Sequence, residues 1–127
     1  MERDAMIVAG FGFRKAAGVD SLRDALRRAG QTHAPTHLAT AAEKASSAVF
    51  QSLAQTLDLP TVAVSQDALQ AIETQTHSVA AEARFATGSV AEAAALAAAG
   101  PGARLLTPRQ ISTDRMATCA IAIGETP

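Results

Sequence analysis

Two short glycine-bearing segments hold the residues best suited to chemistry. Gly10-Phe11-Gly12-Phe13-Arg14-Lys15 places two cations beside a glycine-containing turn. A guanidinium and an ammonium presented there suit a carboxylate or phosphate ligand. The dinucleotide fingerprint G-x-G-x-x-G is not met, because its third glycine is replaced by Lys15 and the next helix begins only near Asp20. A solvated loop would account for the same two charges. The second segment, Thr87-Gly88-Ser89-Val90-Ala91-Glu92, matches the S-x-x-E capping box. A helix opening after glycine also turns backbone N–H groups and a partial positive charge toward anions. Capping alone explains Ser89 and Glu92, and Gly88 is then the residue that allows close backbone approach.

Weaker candidates are Glu43-Lys44 at a helix start and Arg109, Ser112, Arg115 and Thr118 near the C-terminus. The expected ligand-binding set is Gly10, Gly12, Arg14, Lys15, Lys44, Gly88, Ser89, Glu92 and Arg109. No catalytic set stands out. His33 and His37 have the i, i+4 spacing of a metal pair, but Pro35 between them breaks a helix and no third ligand is suitably spaced. Neither a metal nor a cofactor is expected. Cys119 has no base near it in sequence and reads as a small core residue.

These residues need elements to hold them. Ala5 to Gly10 is a short apolar run that suits a strand covered on both faces. Asp20 and Ser21 offer an N-cap to a helix carrying Leu22, Ala25, Leu26 and Ala29, with Gly30 at a left-handed C-cap. His37 to Thr40 is a weak strand. One helix is expected from Ala42 to Leu57, on the stripe Ala45, Val49, Phe50, Leu53 and Leu57. Thr61 to Val64 reads as a strand leading into Ser65, which caps a helix bearing Ala68, Leu69 and Ile72. The stretch from Glu73 to Ala86, including Arg84-Phe85-Ala86, has no clear pattern. An alanine-rich helix from Ser89 stops at Gly100-Pro101-Gly102. Strands at Ala103–Thr107 and Met116–Ile123 close the chain, joined by too few residues for a crossover helix and therefore antiparallel. The expected fold is a three-layer α/β/α sandwich with a mixed, mostly parallel sheet, formed as a single domain over residues 1–127.

Composition bounds the function. The chain has 127 residues, a length of one domain, with 48% apolar and 18% charged residues, which argues against disorder. Alanine makes up about a quarter of it, and there is no Trp or Tyr. Small side chains let helices lie close to a sheet. A net charge of -1 gives no general attraction to nucleic acid or to an anionic membrane. No apolar run reaches the roughly 20 residues of a membrane span, and the N-terminal run is shorter than a signal-peptide core. With a single cysteine, these features lead to the expectation of a cytoplasmic protein.

Several segments together carry a resemblance. They are Gly10 to Lys15, Glu43-Lys44-Ala45, Leu59-Pro60, Gly88-Ser89-Val90-Ala91-Glu92-Ala93-Ala94-Ala95-Leu96-Ala97 and Ala117-Thr118-Cys119-Ala120-Ile121-Ala122, in that order. Over nearly its whole length the chain resembles the CobE and CbiG C-terminal domain family of cobalamin (vitamin B12) biosynthesis. The resemblance implies a mixed α/β sandwich and a part in corrin ring construction by the aerobic pathway. It implies binding or handling of a tetrapyrrole intermediate, such as a precorrin or a hydrogenobyrinic-acid-like molecule. Such ligands carry acetate and propionate groups around a flat ring, which cations at Arg14, Lys15, Lys44 and Arg109 and the helix end at Gly88-Ser89 would complement. The alternative is a hydrolase acting on a precorrin ring lactone, as CbiG acts on cobalt-precorrin-5A, with Glu92 as base or Ser89 as hydroxyl. A third is a module that docks on other cobalamin-pathway enzymes. Phe13 stands where CbiG-type sequences often have cysteine, and Arg109 where they often have lysine, so no cysteine-dependent step is expected at the first turn.

Overall fold

A computed structural model describes residues 6–79, 81–82 and 87–124. Its centre is a five-stranded sheet. Strand β1 (Met6–Phe13) is followed by helix α1 (Val19–Ala29), β2 (His37–Ala41), α2 (Ala42–Ala45), α3 (Ala48–Leu57), β3 (Thr61–Val64) and α4 (Gln66–Ala71). Helix α5 (Val90–Ala99) and strands β4 (Arg104–Ile111) and β5 (Ala117–Gly124) complete the described elements. The strand order is β3-β2-β1-β5-β4. β1 pairs parallel with β2 and β2 with β3, while β5 runs antiparallel to both β1 and β4. Four strands thus point one way and β5 the other, so the sheet is mixed, as expected from the short β4–β5 connection.

Successive side chains of a strand point to opposite faces, and each face has its own core. Ala9, Phe11, Leu38, Cys119 and Ile121 pack under α1 and α3, with Leu22, Ala25, Phe50 and Leu53 filling the layer. Val8, Ala39, Ala41, Val64 and Ala122 pack under α4 and α5. Those two clusters on opposite faces make the three-layer sandwich.

The elements depart from expectation in instructive places. β1 does not end at Gly10; it continues to Phe13, paired with β5 as far as Phe13 opposite Ala117. Helix α1 starts after Gly18, and Ser21 sits inside the first turn, its hydroxyl accepting from the Gly18 N–H at 3.3 Å. Gly30 closes that helix at φ -100°, outside the left-handed region. The helix expected from Ala42 to Leu57 is two helices. Ser47 breaks it by capping α3, its Oγ accepting from the Phe50 N–H at 3.3 Å, a local bond that competes with continuous helix. β4 runs on through Pro108 and Arg109, which were expected in a connection. Pro108 is tolerated because β4 is an edge strand whose pairing with β5 shifts register on both sides of Thr107. Arg84, Phe85 and Ala86 lie outside the described residues. No helix of the described residues is long and apolar enough to cross a membrane.

Candidate functional site

The carboxyl ends of β1 and β2 lie on one edge of the sheet, with β2 and β3 on one flank of β1 and β5 and β4 on the other. Ligands of open α/β sheets bind in a crevice at that carboxyl edge. Because β5 is antiparallel to β1, the β4–β5 turn lies on the same edge, and α5 brings its amino end there too, with Val90 beside Gly12 and Ala95 beside Gly10. The result is a cleft of about 1240 Å³.

Six of the nine residues expected to bind ligand line this cleft: Gly12, Arg14, Lys15, Lys44, Ser89 and Arg109. They come from β1 and the turn after it, α2, the α5 amino end and β4. Arg115 joins them from the β4–β5 turn, and Glu43 is the one carboxylate lining the cleft among the described residues. None of Arg14, Lys15, Arg109 and Arg115 makes an ion pair with a described residue. Several apolar side chains line it as well, namely Phe13, Val49, Val90, Ile111 and Met116. Phe13 stacks on Phe50 with ring centres 6.3 Å apart and planes 12° from parallel. The Lys44 ammonium lies 5.1 Å from the centre of the Phe13 ring, an attraction that helps fix the cation over the apolar surface.

The other three expected residues build the walls without lining the space. Gly10 is buried inside β1; a Cβ there would collide with the Ala91 carbonyl oxygen and the Ala95 N–H of α5. Gly88 is likewise a place of close approach, where a side chain would collide with Thr74, Thr76 and His77. Glu92 is fully buried. Half of the capping box forms, with Ser89 Oγ accepting from the Glu92 N–H at 3.2 Å. The Glu92 carboxylate turns elsewhere. It accepts from the Thr76 N–H at 2.8 Å, the Thr76 hydroxyl at 2.6 Å and the Arg109 N–H at 2.9 Å, tying the loop before α5 to β4. Burial opposes its ionisation, but these hydrogen bonds outweigh burial and hold the carboxyl below its usual range.

The remaining chemistry-bearing residues sit apart from the cleft. The rings of His33 and His37 each bond the neighbouring threonine, Thr32 at 2.9 Å and Thr36 at 2.8 Å. Cys119 is buried in the sheet, and burial pushes its thiol far up from the ordinary range. Sequence reasoning passed over Phe13 and Thr40 as cleft residues. For Phe13 the available signal was its place, an aromatic side chain at a strand's carboxyl end next to two cations. Thr40 gave less, since its hydroxyl is committed to the Phe11 carbonyl at 2.8 Å.

The model of the family described as cobalamin synthesis G C-terminus matches residues 7–122. The chain belongs to that family. It is accordingly a protein of cobalamin biosynthesis. Among solved structures it is similar to CobE, a protein from the cobalamin (vitamin B12) biosynthetic pathway, with 28% identity over 100% of this chain and 96% of that one, and a TM-score of 0.87. It is similar also to cobalamin biosynthesis protein chiG from Agrobacterium tumefaciens str. C58, with 37% identity over 95% of this chain and 100% of that one, and a TM-score of 0.74. A putative cobalamin biosynthesis protein G homolog from Sulfolobus solfataricus shares the fold at 20% identity and a TM-score of 0.68; the match covers 97% of this chain and 38% of that one. No curated protein sequence matches the chain significantly.

Proposed function

We propose that this domain binds a corrin-pathway tetrapyrrole, a precorrin or a hydrogenobyrinic-acid-like molecule, in the cleft at the carboxyl edge of its sheet. The observation that carries the reading is the gathering of Arg14, Lys15, Lys44, Arg109 and Arg115 around one cleft in a chain whose net charge is only -1. Cations collected at one place are matched by a ligand bearing several carboxylates. Phe13, Val49, Val90, Ile111 and Met116 supply apolar surface for a flat ring between those carboxylates. The cleft, at about 1240 Å³, exceeds the roughly 300–1,000 Å³ of ordinary small-molecule sites, which suits a macrocycle.

Binding rather than hydrolysis is supported by the state of Glu92. A general base needs a free lone pair within reach of the substrate, and this carboxylate is buried behind the cleft and occupied by protein donors. The expected role is to hold an intermediate, or to hand it to other enzymes of the pathway. Titration of the purified protein with hydrogenobyrinic acid, followed by the absorbance of the ring, tests the reading. A saturable spectral shift at micromolar ligand is expected. Absence of a shift, together with absence of pigment on protein isolated from cells that make the ring, overturns it.

A further inference from the structure

The turn between β4 and β5 is built to aim one residue. Arg115 has φ 63°, in the left-handed region that glycine and asparagine favour and that an arginine side chain disfavours. Among the described residues the other non-glycine at positive φ is Asp58, which closes α3 there as its C-cap. Five residues of the turn are fixed by a dense set of bonds. The Ser112 carbonyl accepts from the Arg115 N–H at 2.9 Å, and its Oγ accepts from Met116 at 3.2 Å and Ala117 at 3.0 Å. Ser112 Oγ donates to Asp114 Oδ1 at 2.6 Å, which also accepts from the Met116 N–H at 3.0 Å. The other Asp114 oxygen takes the hydroxyl of Ser21, in α1, at 2.6 Å. Asp24 in the same helix accepts from the Thr113 N–H at 2.6 Å, and Thr113 Oγ1 accepts from Arg28 at 2.5 Å.

Ser112, Thr113 and Asp114 therefore use their side chains to hold the turn, while Arg115 spends none of its guanidinium donors on a described residue and lines the cleft. Backbone geometry alone favours glycine at this position, so the arginine works against the local preference. The turn's hydrogen bonds from Ser112 and then Ser21 hold the Asp114 carboxyl below its usual range, and the Thr113 N–H holds Asp24 at about 2, so both anchors are ionised at neutral pH.

Resting on the reading of the cleft as a polycarboxylate site, we propose that Arg115 is a ligand-binding residue of that site and that Ser21, Ser112 and Asp114 are its positioning residues. Holding the turn in advance removes part of the ordering cost that a carboxylate would otherwise meet on binding. The ligand chemistry is a carboxylate at the edge of the bound molecule, met by the guanidinium.

Arg115→Gly and Arg115→Asn separate this from a structural role. Both residues accept a positive φ, so the thermal midpoint should stay level or rise. Affinity for hydrogenobyrinic acid and for benzenehexacarboxylate, a flat polycarboxylate without the macrocycle, should fall about tenfold or more in each variant. Asp114→Asn should weaken binding in the natural protein and add little in the Arg115→Gly background, since it acts through Arg115. Equal affinity of Arg115→Gly and the natural protein for both probes overturns the assignment while leaving the proposed function intact. Equal loss from Asp114→Asn in both backgrounds overturns the positioning role. If benzenehexacarboxylate binds, depends on Arg115 and the corrin ring does not bind, the assignment stands and the tetrapyrrole reading falls. If neither probe binds, both fall.

Discussion

A carboxylate removed from water persists as an anion only where donors replace its hydration, and Glu92 has such donors from Thr76 and from Arg109. Glu92→Gln replaces one acceptor oxygen by an NH2 group facing protein donors, and should cost roughly 3 kcal/mol of stability, read as a lower urea midpoint. The pH dependence follows from the direction of its shift. With a folded pKa below the unfolded value of about 4.3, Glu92 contributes stability fully above that pH and loses it as pH falls through the lower folded value. The gap in stability between the natural protein and Glu92→Gln should therefore be constant near neutrality and narrow below about pH 4. Cys119 makes the opposite case, a nucleophilic atom kept unreactive: buried, with its thiol pushed far up, it should resist iodoacetamide until denaturant is added. Its inertness could be read from its apolar sequence neighbours. The long-range partners of Glu92 could not, because the local S-x-x-E pattern fits equally well whether its carboxylate turns back or reaches across to β4.

Helix α5 owes its place to the absence of side chains. Ala91, Ala93, Ala94 and Ala95 are fully buried, and Gly10 lets the helix backbone descend onto β1. A methyl at Gly10 meets backbone atoms of α5, which cannot swing aside as a side chain tip would. Gly10→Ala should then lift the amino end of α5 from the cleft edge and cost about 3 kcal/mol or more, measured as a loss of thermal midpoint. It should also weaken ring binding, because Ser89 and Val90 line the cleft from that helix. Most elements were legible from periodicity and caps: β2, β3, α5 and β5 appear where hydrophobic pattern and glycine put them, and β4 starts there but runs on past Thr107 to Ile111. The failures share a cause. A serine inside an apolar stripe, Ser47, and a glycine inside an apolar run, Gly10, each have one local meaning and another set by a distant partner. Periodicity records only the first.

Whether separate cations form one site is a property of the whole chain. The pair Arg14-Lys15, Lys44 and Arg109 lie far apart in sequence, and each alone fits a solvated surface; only the strand order, with β5 inserted between β1 and β4, brings them to one cleft. That order is not written in any local pattern, which is why the residues were legible and their meeting was not. The fold also separates charge: among the described residues five cations face the cleft against the single carboxylate of Glu43, although the chain as a whole carries -1. A polycarboxylate should feel this local field more than the net charge, and salt should weaken it as the screening length shortens from about 10 Å at 0.1 M to about 3 Å at 1 M. Replacing Arg14 and Lys15 together by alanine removes two exposed cations, each worth about 0.5–1 kcal/mol to an anion, so affinity for hydrogenobyrinic acid should fall about five- to thirtyfold at low salt. The difference from the natural protein should shrink steadily as sodium chloride is added, and the variant's own affinity should vary less with salt. A loss of equal size at every salt concentration would mean that the two side chains act by shape and packing, not by charge, and that the ring is held by the apolar surface around Phe13.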